Sequence, residues 1–152
     1  MQYIIIAVGR WRASPEKALY EKFQTRIRPT PKLREVEEKK RLKGQTLLYR
    51  EGQLLLDAIP DQARVVALDG GGVAFSSPGL ASKLGTWRDD GVREVAFLVG
   101  GARGHDPMVF ERADLTLSLG PQTWPHMMVR VMLAEQLYRA QSILVGHPYH
   151  RD

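Results

Sequence analysis

Cysteine is absent from the 152 residues, which removes disulfides, thiolate nucleophiles and thiolate-ligated zinc together. Histidine is scarce: His105, His126, His147 and His150 are all there are. None pairs with another at HExxH or H-x3-H spacing, and Pro148 interrupts the closest pair, so no metal is expected. GxxxxGK(S/T) and GxSxG do not occur, and AVGRWRAS supplies only Gly9 where a GxGxxG would be needed after the first strand. Dinucleotide and nucleoside triphosphate cofactors and a serine nucleophile are therefore not expected. No apolar run approaches the ~20 residues of a membrane span. The opening MQYIIIAVGRW is broken too soon for a signal peptide, so a cytosolic protein is expected.

What is present is an ordinary globular mixture, 43% hydrophobic and 26% charged, with a formal net charge of +5. That balance favours an anionic partner: nucleic acid, a phosphorylated metabolite or a membrane surface.

QYIIIAVG reads as a buried strand. Ser14-Pro15-Glu16 follows as a helix start, with Ala18, Leu19, Phe23 and Ile27 at helical spacing behind it. KLREVEE reads as a short edge strand. EEKKRLKGQ is either a solvated loop or a phosphate-contacting patch built on Lys39, Lys40, Arg41 and Lys43. From Thr46, leucines at three- and four-residue steps predict a helix with one face on a sheet. RVVAL is a buried strand, DGGGVAFSSPG a loop, and Ser77-Pro78 a second helix start, with Leu80, Leu84 and Trp87 on one face. REVAFLVG runs into GGARGHDP, where Asp106-Pro107 opens a short helix. DLTLSL is a last strand, GPQTWPH a loop, and a long helix runs from Met127 to Leu144. The alternation predicts an α/β fold with a mostly parallel sheet flanked by helices, and with no linker or repeat residues 1–152 read as one domain.

In open α/β sheets, ligands bind outside the carboxyl ends of strands. Three such ends are rich in glycine and proline: Leu68-Asp69-Gly70-Gly71-Gly72, Gly100-Gly101-Ala102-Arg103-Gly104, and Gly120-Pro121-Gln122-Thr123-Trp124-Pro125. They suit a site built from main chain. Asp69 and Asp106 have structural readings, in a turn and as a helix cap, and Arg139 with Glu135 reads as an ordinary i, i+4 pair. MMVRVMLAEQLYRAQSIL is apolar on more than one face, which means deep burial or, as the preferred reading, a subunit interface. The final GHPYHRD is either solvated decoration or a segment that docks and does chemistry.

VGGARG and the run SLGPQTWPHMMVRVMLAEQLYRAQSILVGHPYHR resemble the C-terminal half of the RlmH family, SPOUT-class methyltransferases acting on a pseudouridine of large-subunit ribosomal RNA. IIAVGR and VVALDGGG extend the resemblance over essentially the whole chain. It implies a SPOUT-type α/β fold with a C-terminal trefoil knot, a homodimer, and S-adenosylmethionine held by Leu68, Gly100, Gly101, Gly120, Pro121, Gln122, Thr123, Trp124 and Pro125. Gly120 and Gln122 stand where the family usually has a serine and a methionine or leucine, and Trp124 replaces a smaller apolar residue. Adenine held by backbone groups tolerates such changes.

The resemblance also implies an acceptor, N3 of pseudouridine, an imide nitrogen that must lose its proton. Positioning and charge stabilisation dominate such a transfer. Arg139 or Arg151 would offset charge on the base carbonyls, His150 would accept the proton, and Tyr149 would orient or stack on the base. The tail is expected to act across the dimer. With no appended RNA-binding domain, the assembled ribosome is the expected substrate. A non-catalytic RNA-binding module and a SPOUT-like transfer-RNA enzyme are the rival readings.

Overall fold

A computed structural model describes residues 1–151; Asp152, the last residue of the expected domain, lies outside the described residues. The IIIAV run forms β1 (Gln2–Val8), whose Ile4, Ile5 and Ile6 are entirely buried. A strand buried on both faces belongs inside a sheet, and β1 is flanked by β2 (Lys32–Val36) and β4 (Glu94–Val99). With β3 (Arg64–Ala74) and β5 (Leu115–Ser118) the sheet has the order β2-β1-β4-β3-β5, and every pairing is parallel. The expected edge strand KLREV is indeed at the edge.

Neighbouring residues of a strand face opposite sides, and the core divides accordingly. Ile5, Phe97 and Leu117 face α1 (Pro15–Gln24), α3 (Ser77–Asp89) and α5 (His126–Leu144). Ile4, Leu98 and Val65 face α2 (Gly44–Asp57) and α4 (Pro107–Arg112). Helices therefore cover both faces of the sheet. The resulting architecture is the α/β class that the strand and helix alternation predicts.

Local chemistry sets most element starts. The Ser14 hydroxyl accepts from the Lys17 amide at 3.2 Å ahead of Pro15, and the Asp106 carboxylate accepts from the Met108 amide at 3.0 Å ahead of Pro107. These are N-caps that satisfy otherwise orphaned donors.

Four details differ from expectation. The cap of α3 is Ser76, which accepts from the Gly79 amide at 3.1 Å, whereas Ser77 instead donates to Gln136 on α5 at 2.7 Å. Helix α1 stops at Gln24, so buried Ile27 lies past its end, and Tyr20 rather than the 42%-exposed Leu19 anchors it. Helix α2 begins at Gly44, two residues before Thr46. The stretch Asp69–Ala74 is not a free loop, because β3 continues through it: Leu68 and Val73 both pair with Leu117, so the intervening residues form an irregular excursion. Gly72 sits so close to β5 that a Cβ there would lie 2.5 Å from the Thr116 carbonyl oxygen.

Helix α5 is tied to the sheet by Arg130, whose side chain is wholly buried. Its Nη2 donates to the Val8 and Gly9 carbonyls, each at 2.8 Å, and its Nη1 to Glu35 Oε2 at 3.0 Å. The guanidinium also stacks over Trp11 at 4.8 Å, and the Trp11 amide donates to the same Glu35 oxygen at 2.6 Å. One side chain thus fastens α5 to both β1 and β2. Burial pulls the Arg130 pKa down from the ordinary guanidinium value, and Glu35 opposes the shift.

Arg130→Met should lower stability by about 3 kcal/mol in urea unfolding, since Glu35 and two carbonyls lose their donor. Arg130→Lys should recover only part, because an ammonium cannot span three acceptors in a plane. A loss near zero in the Met variant would show that the network contributes nothing net.

Candidate active site

The carboxyl ends of β3, β4 and β5 enclose a cavity of about 270 Å³. Leu68, Gly100, Gly101, Gly120, Pro121, Gln122, Thr123 and Trp124 all line it. The three loops that glycine and proline single out in the sequence thus converge. Pro125 is the exception: it does not line the cavity and instead occupies the N-cap of α5, where its fixed φ of −55° leads into the helix. Val99, Leu117, Leu119 and Val129 complete an apolar wall.

Glycine is required where the loops press together. A Cβ on Gly100 would lie 2.5 Å from the Gly104 carbonyl oxygen, and Gly104, which forms a bridge with Gly101, has φ +77°. Ser118 ties the other two loops to each other: its hydroxyl is 3.1 Å from both the Gly70 and Gly120 carbonyls and accepts from the Gly120 amide at 3.1 Å. The cavity edge is therefore main chain held by main chain. Asp69 keeps its turn reading, accepting the Gly71 amide at 2.8 Å.

Two histidines belong to this region. His126, the first residue of α5, lines the cavity, and burial together with Arg130 lowers its pKa. Sequence reasoning passed over it, although its place directly after the Gly-Pro loop was the available signal. His105, buried behind the Gly100–Gly104 turn, donates from Nε2 to the Leu98 carbonyl at 3.2 Å, and burial holds its pKa below the usual value.

The tail forms a second cluster. Helix α5 ends in paired bonds, from the Gly146 amide to the Ile143 carbonyl at 3.2 Å and from the His147 amide to the Ser142 carbonyl at 2.8 Å. Gly146 takes φ +70°, as this closure requires, and turns the chain back. Tyr149 then packs on Tyr138 with ring centroids 4.6 Å apart, and its hydroxyl donates to Glu135 Oε1 at 3.0 Å. Arg139 donates to that same oxygen from Nε at 3.0 Å and Nη2 at 2.6 Å, and its Nη1 lies 3.3 Å from His150 Nδ1. Arg26 of the region after α1 stacks over Tyr138 at 4.6 Å.

The tail docks, so the decoration reading fails. Arg139, Tyr149 and His150 come together as expected, whereas Arg151 is exposed beyond them. Glu135, dismissed from the sequence as an ordinary helix pair, is the hub of the cluster. Its hydrogen bonds raise the Arg139 pKa; burial, followed by the Glu135 bond, raises that of Tyr149. Both groups stay protonated at neutral pH.

The tail lies on its own helix rather than at its own cavity. His126 and Arg139 are thirteen residues apart on α5, about 20 Å along the axis at 1.5 Å per residue. The apolar faces of α5 are also largely explained within one chain, where α1 and α3 pack along its two sides. Among the described residues no group of three or more histidine, cysteine or acidic side chains is placed to hold a metal ion.

An all-parallel α/β sheet with a glycine-built cavity at its strand ends defines a class, and residues 1–150 match the family model described as a predicted SPOUT methyltransferase; the chain belongs to that family. The chain is 54% identical over 151 residues to the ribosomal RNA large subunit methyltransferase H of Paramagnetospirillum magneticum, covering 99% of each. It is 46% identical over 152 residues to the protein of the same name from Rhodospirillum rubrum, covering 100% of each. Among solved structures, a probable methylase family protein from Haemophilus influenzae matches with a TM-score of 0.58 at 8% identity, over 99% of this chain and 70% of that one. A Legionella pneumophila protein solved with the cofactor SAM matches with a TM-score of 0.51 at 9% identity, over 92% of this chain and 66% of that one. At such identities the structures support the fold alone.

The two shifted histidines give a pH dependence with a defined sign. Unfolded histidine takes up its proton near pH 6.5, whereas folded His105 and His126 resist protonation, so the unfolded state binds more protons below about that pH. Stability should therefore fall as pH drops through about 6.5 toward the lower folded values. Thermal unfolding between about pH 5 and 8 should show this slope, and a His105→Gln, His126→Gln variant should flatten it; an unchanged slope would assign it to other groups.

Proposed function

We propose that this protein methylates N3 of a pseudouridine in large-subunit ribosomal RNA, using S-adenosylmethionine and acting in the cytoplasm on the assembled ribosome. The observation that carries the reading is the cavity where β3, β4 and β5 end, in a chain matched along its full length by relatives named ribosomal RNA large subunit methyltransferase H.

The cavity fits the cofactor chemically. Its apolar wall of Leu68, Val99, Leu117 and Val129 suits a purine face, and the main chain of Gly100, Gly101 and Gly120 through Thr123 along its lining suits the purine's polar edge. A Cβ at Gly100 would push the turn apart, so this cradle is specific to glycine. Trp124, 39% exposed at the rim, and Gln122 border the entrance. When bound, S-adenosylmethionine supplies a methyl group on a positively charged sulfur.

The tail cluster does the rest. Arg139, held cationic by Glu135, offsets negative charge as N3 loses its proton. His150, whose Nδ1 lies 3.3 Å from Arg139, takes up that proton at Nδ1 once Arg139 turns from it to the base, directly or through water. Tyr149 presents an aromatic face to the base, and exposed Arg151 contacts the surrounding phosphates. Methyl transfer requires the reacting atoms within about 3–3.5 Å of one another, yet cavity and tail stand about 20 Å apart along α5 in one chain. A homodimer in which each tail faces the other chain's cavity resolves this. The same reading takes residues 1–152 as one domain with a C-terminal trefoil knot.

The experiment is transfer of labelled methyl to ribosomes lacking the modification, with the nucleoside identified by mass spectrometry. Label on N3 of one large-subunit pseudouridine is expected, and label on transfer RNA or on no RNA would overturn the reading. Truncation after Gly146 should abolish turnover and leave cofactor affinity within about twofold, since the deleted tail lies outside the cavity. Full turnover by the truncated chain would remove the tail from the mechanism.

A further inference from the structure

Beyond the cavity, the same edge of the sheet carries a run of cations with no role in methyl transfer. The loops following β2, β1 and β4 leave this edge side by side. Val8 pairs with Val36, Ala7 with Val99, and the Gly9 amide donates to the Val36 carbonyl at 2.9 Å. With strands about 4.8 Å apart, the three loops span about 10 Å of edge. They expose Lys39, Lys40, Arg41 and Lys43 after β2, Arg10 and Arg12 after β1, and Arg103 after β4. Arg103 tops the turn whose glycines form the cavity wall, so the cationic run reaches the cavity mouth.

Three acids of this edge, Glu35, Glu37 and Glu38, are already engaged. Glu37 pairs with Arg10 at 3.1 Å. Glu38 pairs with Arg50 of α2 at 2.7 Å and accepts the Lys40 amide at 2.9 Å, contacts that hold its carboxyl below the usual range. Glu35 is committed to Arg130 and the Trp11 amide. Glu51 of α2 lies against Gly101, half-buried. Lys39, Lys40, Arg41, Lys43, Arg12 and Arg103 form no ion pair among the described residues. A solvated loop needs no such order. Here the Glu38 cap and a bond from the Leu42 amide to the Lys40 carbonyl at 2.8 Å hold the segment in shape, with Leu42 half-buried beneath.

We propose that this edge, from the loop 37–43 across Arg12 to Arg103, binds the phosphate backbone of the substrate RNA and leads the strand into the cavity. The proposal rests on the RNA methyltransferase reading above. Its composition points to backbone rather than base recognition. Lysines and arginines dominate, and Trp11, the one Trp, Tyr or Phe within the three loops, is half-buried and occupied by Arg130 and Tyr20.

The test compares two variants of equal charge. In one, Lys39, Lys40 and Arg41 become Gln; in the other, Lys22, Lys32 and Arg93 do, which are exposed residues away from this edge. Binding to deproteinised large-subunit RNA is measured across salt, alongside KM for ribosomes, cofactor affinity and thermal unfolding. The first variant should bind RNA about tenfold more weakly, with a log K versus log salt slope shallower by about 2, at roughly 0.7 per single-strand phosphate contact. Its KM should rise with kcat and cofactor affinity unchanged. The second variant should match the wild type. Equal losses in both variants would reduce the effect to net charge and overturn the proposal. A loss on ribosomes that vanishes on deproteinised RNA would assign the edge to an acidic protein surface and also overturn it. Wild-type binding of RNA through this edge with no methylation would instead refute the enzymatic reading and leave the edge standing.

Discussion

Parallel direction in all five strands is the constraint from which the functional geometry follows. A parallel neighbour cannot be reached by a tight turn, so each connection must cross a sheet face, and here a helix makes each crossing. Every carboxyl end then emerges at one edge. The loops after β3, β4 and β5 meet there as a cavity, and the loops after β2 and β1 continue the same edge as an exposed cationic surface. Cavity and cationic surface share one side of the sheet because the topology brings every strand end there.

Much of this was legible where a residue's role is local. Ser14-Pro15 and Asp106-Pro107 start helices for reasons contained within four residues, and the IIIAV and VAFLV runs announce strands buried on both faces. The three glycine-rich loops were legible too, since few other roles demand so much freedom at strand ends. Distance in sequence hid the rest. Gly70 to Ala74 read as a loop because its partner, β5, begins some forty residues later and the pairing is irregular. Arg130 looked like a stray charge on an apolar helix; its acceptors, Val8, Gly9 and Glu35, stand about a hundred residues upstream, beyond any periodicity. Glu135 was visible but undervalued, because an i, i+4 pair with Arg139 explains it until Tyr149 is seen to share the same oxygen.

Helix α5 acts as a fixed spacer between the cavity and the tail cluster. Its first turn supplies His126 and Val129 to the cavity, and its second half supplies Glu135 and Arg139 to the tail cluster. Arg130 clamps the helix between them, so neither end can shift without disturbing β1 and β2. A separation set by helix rise cannot be closed by side-chain motion, so the methyl transfer proposed above calls for a second chain rather than rearrangement of the first.

The energetics of the tail suit such a part. Docking rests on the Tyr149 bond to Glu135 and the His150 contact with Arg139, each worth about 1–3 kcal/mol when a charge is involved, and on the Tyr138–Tyr149 contact, worth about 1 kcal/mol beyond burial. Against this stands the ordering of residues 147–151, at about 1–2 kcal/mol of backbone entropy each. The two sides nearly cancel. A segment so balanced keeps its shape on the helix while remaining responsive to any partner that binds one arrangement better than another. In the proposed reaction, a base that prefers one arrangement of the tail by a few kcal/mol is enough to recruit it, and Glu135 keeps Arg139 and Tyr149 gathered on one oxygen throughout.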